Sequence, residues 1–126
     1  MKKLLAIITL ALLSNPVMSA DLKIGDVLYC TSDFFYGTDV NNITEVKRYN
    51  VENFKLSISQ NSVDFGSSGY FRNTSMPTRE IKMWSVIAQD EHSTLGIDAQ
   101  SNDIFFNYAS ANPFGMAMMK GTCNKF

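Results

Sequence analysis

Only two cysteines occur in the 126 residues, Cys30 and Cys123, and between them they bracket most of the chain able to form a folded domain. Joined as a structural disulfide, they would close a loop of more than ninety residues, worth on the order of 4–5 kcal/mol in the chain-entropy model. A disulfide also requires α-carbons within about 7 Å of each other. The first and last folded segments must then be neighbours. A closed or nearly closed β-barrel meets that demand and removes exposed sheet edges, and a sandwich whose first and last strands pair meets it equally. A metal or redox role finds no support, because there is no Cys-x-x-Cys and His92 is the only histidine.

A structural disulfide implies an oxidising compartment, and the start of the chain agrees with that. Lys2 and Lys3 precede an apolar run from Leu4 to Leu13, broken by Ser14, Asn15 and Pro16 and followed by the small residues Ser19 and Ala20. This is the layout of a secretory signal, read as residues 1–19, with residues 20–126 as one exported domain. The run is too short to span a bilayer, which needs roughly twenty apolar residues. Beyond residue 19 the chain carries nine basic and twelve acidic residues, a net charge of −3. That balance suits a dissolved periplasmic or secreted protein and argues against a nucleic-acid partner.

The domain is written in strand vocabulary, short apolar runs rich in Phe, Tyr, Ile and Val between turn-forming residues. Strands are expected over 27–36, 45–49, 53–59, 62–65, 81–88, 94–98, 104–109 and 116–123, with a resumed strand at Tyr70 and Phe71. In 53–59 the residues Phe54, Leu56 and Ile58 alternate with Lys55 and Ser57, the mark of a sheet with one wet face. Gly66 to Gly69 reads as a flexible turn, and Asn73 to Thr78, with Pro77, as a surface loop. The expected fold is all-β, a small antiparallel barrel or sandwich of seven to eight strands closed by one disulfide.

Signatures of catalysis are missing. His92 sits in a polar turn, no Gly-x-Ser-x-Gly elbow is present, and the acids are scattered over turns and wet strand faces. The Gly66-Ser67-Ser68-Gly69 turn lacks the lysine and helix of a phosphate cradle. No enzymatic activity, cofactor or metal is expected. Aromatic residues are in surplus, with Phe34, Phe35 and Tyr36 consecutive and Phe105 beside Phe106. Neighbours on a strand face opposite sides, so the surplus rings line a cavity, form a contact patch or simply cap a barrel end. Met116, Met118 and Met119 read as core filling near a strand end.

Four short motifs, Tyr29-Cys30, Ser67-Ser68-Gly69-Tyr70, a strand through Trp84 and Thr122-Cys123, together resemble the periplasmic inhibitors of C-type lysozyme. The resemblance implies a small exported β-barrel that blocks the lysozyme cleft with a Ser-Gly loop and a nearby lysine. Trp84 is followed here by Ser85-Val86, where that family has a Lys-Gly step. Only Ser68, Gly69 and Tyr70 carry over as binding residues. The function expected is therefore that of a small exported binding protein contacting another protein, as an inhibitor or immunity-type protein of the cell envelope does. The alternative is a carrier of a small apolar ligand inside a β-barrel.

Overall fold

A computed structural model describes residues 21–39 and 41–125; the signal segment expected over residues 1–19 lies outside them. Nine antiparallel strands follow one another: β1 (Val27–Asp39), β2 (Asn42–Arg48), β3 (Asn53–Ile58), β4 (Ser62–Phe65), β5 (Ser75–Lys82), β6 (Ser85–Gln89), β7 (Ser93–Gln100), β8 (Asp103–Asn112) and β9 (Gly115–Lys125). From β3 to β9 each pairs with the next, and β9 returns to β1, from Leu28↔Lys125 to Gly37↔Ala117. This ladder closes an eight-stranded barrel. The other edge of β1 is shared, its start pairing with β3 and its end, Tyr36 to Asp39, with β2. β2 is thus an extra strand beyond the barrel wall.

Cys30 and Cys123 lie directly opposite in the closing ladder, bonded as a disulfide with α-carbons 4.0 Å apart. Disulfides of this kind persist in oxidising, non-cytoplasmic compartments. Among the described residues, no helix is long and apolar enough to cross a membrane.

Strict alternation builds the core. Leu28, Cys30 and Ser32 of β1, Phe54, Leu56 and Ile58 of β3, Ile104, Phe106 and Tyr108 of β8, and Ala117, Met119 and Cys123 of β9 all point inward. With Val63, Val86, Leu95 and Ile97 they fill the lumen with side chains. Gly121 belongs to the same inward row. A Cβ there would stand 2.0 Å from the Thr31 carbonyl oxygen and 2.7 Å from the Phe106 ring, so this crossing admits only glycine.

A bulge between Ser32 and Phe34 breaks the period of β1. An extra residue in one strand re-aims all those after it. Phe35 turns inward, 5% exposed, while Phe34 and Tyr36, whose rings meet at a tilt of 43°, turn out. The surplus of rings noted in the sequence is resolved there by geometry. The methionines are corrected likewise: Met119 is core, but Met116 and Met118, on the opposite face of β9, are about half exposed.

Three expected elements differ. The run 81–88 is not one strand but parts of β5 and β6, joined at Met83–Trp84 with Lys82 paired to Ser85. Two-residue hairpins favour turns with positive φ and hence glycine or asparagine. Neither Met83 nor Trp84 has a positive φ, so the turn leaves no such mark in the sequence. Tyr70 and Phe71 form no strand; they belong to the connection between β4 and β5, and β5 begins at Ser75, inside the stretch read as a loop.

Asp64, on the outer face of β4, accepts hydrogen bonds from Ser59, Ser62 and Ser75 at 2.6–2.8 Å. These bonds hold its carboxyl below the usual value of 3.8, with Ser59 contributing most.

Candidate functional site

The barrel ends differ in how they are closed. At the end carrying the β4–β5 connection, Phe71 drops into the lumen, stacked on Phe65 at 4.5 Å and edge-on to Phe54 and Tyr108 at 5.0 and 4.7 Å. That wedge fixes the loop in which the sequence placed a binding site. Gly69, at φ +86°, lies against the Asn53 carbonyl and Phe54, a backbone state that L residues rarely adopt. The loop therefore lies across the barrel mouth, with Ser67 and Ser68 exposed and Tyr70 45% exposed.

Beside it runs the link from β2 to β3. Tyr49 N–H donates to the Phe35 carbonyl at 2.8 Å, and Glu52 N–H donates to the Ser32 hydroxyl at 2.7 Å. Ser32 N–H returns a bond to the Glu52 carbonyl at 2.8 Å. The β1 bulge thus clips this link to the barrel and carries Tyr49 and Glu52 to the mouth. The β8–β9 turn completes the rim with Phe114, 69% exposed, and Met116.

Together these segments enclose an open groove of about 590 Å³, lined by Phe35, Tyr49, Glu52, Tyr70, Ser110, Phe114 and Met116 among others. Of the three residues singled out by sequence, Tyr70 lines it, while Ser68 and Gly69 lie beside it in the same loop. Tyr49 escapes the sequence because it reads as the end of the strand expected over 45–49 whereas β2 stops at Arg48, and Glu52 because it falls in a connection without periodicity. Only the bulge, which the sequence does not announce, brings them to Phe35. Phe35 also packs against both tyrosines, with centroids 4.9 Å from Tyr49 and 5.2 Å from Tyr70.

Burial first, then the neighbouring Tyr108, pushes the Tyr70 phenol up from 10.0 to about 12, although a hydrogen bond with Ser110 acts the other way. The neutral phenol is favoured in the fold. Its contribution is fully present below pH 10 and is lost as pH rises toward 12. In a phenolate absorbance titration, one of the five tyrosines should ionise about two pH units late, and Tyr70→Phe should remove that step. The fall of stability between pH 10 and 12, followed by urea unfolding, should be shallower in the variant.

His92 occupies an exposed turn in which its own N–H and that of Ser93 bond to Asp90. Among the described residues no three His, Cys, Asp or Glu side chains converge on a common point suited to a metal ion. Comparison of the chain with protein-family models, with curated proteins and with solved structures finds no match.

Proposed function

We propose that the chain is a small exported binding protein, periplasmic or secreted, that contacts another protein through the mouth of its barrel. An inhibitor or immunity-type protein of the cell envelope is the form this takes. The carrying observation is the contrast between a lumen filled with side chains and a rim of exposed aromatic and methionine side chains around a concave groove. Rigid strands and a wedged loop present that rim, so docking a partner orders little that is not already ordered. Aromatic residues and methionine are also enriched at the centres of protein interfaces. A carrier of a small apolar ligand would have to hold it at the mouth, because the lumen has no room.

The test is affinity capture with the oxidised protein from residue 20 onward, offered periplasmic extract and a panel of wall-degrading enzymes that includes a C-type lysozyme. A partner held by the native protein and lost from the Ser68→Arg/Tyr70→Ala variant is the expected result. Equal capture by both forms would move the contact away from the mouth. No protein captured by either, with a small molecule seen by native mass spectrometry, would favour the carrier.

A further inference from the structure

We propose that the mouth groove is a receptor for the guanidinium of an arginine projected by a basic partner protein, held between aromatic rings and the Glu52 carboxylate. The inference rests on the protein-contact reading above and names the chemistry of the group that enters.

Three observations carry it. The first is charge. Among the residues lining the groove, Glu52 is the one acidic side chain, and no lysine, arginine or histidine faces it there. The chain beyond residue 19 is itself net negative, so a basic partner is attracted over longer range as well.

The second is that the Glu52 carboxylate faces the groove without a partner among the described residues, whereas Asp26 and Asp64 are engaged. Asp26 is held by Lys125 at 3.2 Å and by the Lys23 N–H at 2.9 Å, and Asp64 by three serine hydroxyls. The Glu52 backbone is fully engaged with Ser32, yet its partly buried carboxylate makes no hydrogen bond or ion pair with the described residues. One of its oxygens lies near Gly69, 3.3 Å from where a Cβ on that residue would stand. A carboxylate without an intramolecular partner is a strong acceptor for an incoming cation.

The third is the rings. Phe35 forms a floor and Tyr49 and Tyr70, each about 5 Å from it by centroid, form walls. Ring faces attract cations, and the planar guanidinium both stacks on them and pairs with a carboxylate through its fork of donors.

The probe is N-acetyl-arginine methylamide, with the neutral isostere N-acetyl-citrulline methylamide as its control, each titrated into the isotope-labelled oxidised protein and followed by NMR. The expected result is saturable shifts at Tyr49, Glu52 and Tyr70 with the arginine compound alone, weakened at least tenfold in Glu52→Gln. That variant should fold, since the structural bonds of Glu52 run through its backbone, and an unchanged thermal midpoint verifies it. Equal responses to the two compounds, shifts confined to other surfaces, or undiminished arginine binding by Glu52→Gln would each overturn the proposal. Capture of a protein partner provides the separation from the broader reading. A partner retained by Glu52→Gln but lost from Ser68→Arg/Tyr70→Ala would sink the arginine receptor and leave the protein contact standing.

Discussion

Gly121→Ala should cost the barrel more than about 3 kcal/mol, toward the upper end of what a single added methyl does. The new carbon would overlap the Thr31 carbonyl oxygen, the Phe106 ring and, at 2.8 Å, the Ser32 α-carbon. Phe106 could turn aside only by leaving its place in the core, where it is 1% exposed and edge-on to Phe54. The two backbone contacts cannot turn aside at all, because they belong to β1 in the ladder that closes the barrel. Urea unfolding of the variant should show a lower midpoint with little change in slope. Gly66→Ala is the control. A Cβ there meets Lys55 at 3.4 Å, an ordinary contact, and the change should be within about 0.5 kcal/mol. Equal effects at the two glycines would mean that the strand crossing at Gly121 is looser than its geometry implies.

Removing the disulfide should have an effect of similar size through the opposite state. In Cys30→Ala/Cys123→Ala the folded barrel keeps the β1–β9 ladder, which continues from Thr31 to Gly37 on one side of the pair and through Tyr29 and Leu28 on the other. The unfolded chain, however, is released from a loop closed across a sequence separation of 93, which in the chain-entropy model corresponds to about 4–5 kcal/mol. For a domain whose total stability falls in the usual range of about 5–15 kcal/mol, this decides whether it stays folded on warming. The two variants are told apart by the denaturant slope. It should rise when the bridge is removed, because the freed unfolded chain exposes more surface, and stay level in Gly121→Ala.

Where burial alternates without interruption, the sequence reads directly as structure. β3, with Phe54, Leu56 and Ile58 inward, and β8, with Ile104, Phe106 and Tyr108 inward, lie within a few residues of their expected bounds. The closure of the sheet followed from the two cysteines, and the choice of barrel over sandwich is made by the ladder between β1 and β9. What escaped was whatever depends on a break in period. The β1 bulge reverses the facing of Phe34, Phe35 and Tyr36 with no glycine or proline to flag it. The Met83–Trp84 turn is hidden in an apolar run. An aromatic after a turn resembles the start of a strand, whereas the Phe71 ring serves as a plug. The mouth site inherits these gaps: Tyr70 was visible from its loop, but Tyr49 and Glu52 are brought in by hydrogen bonds to the bulged strand. No rule of spacing connects them.

The pairing of β1 with β9 also sets the order in which the molecule can be assembled. A chain that emerges from a ribosome or a translocation channel presents β1 long before β9, and the separation of 93 residues between the bridged cysteines measures that wait. Throughout it β1 has one edge without its final partner, and the strand carries two apolar stretches, Val27 to Cys30 and Phe34 to Tyr36. Contacts this distant in sequence form slowly, and an open edge invites pairing with other chains. Closure is therefore a late event that joins the two longest-separated strands and brings the two thiols together in one step. The bond between Cys30 and Cys123 spans that last-formed ladder, so it fastens the seam whose halves are farthest apart along the chain.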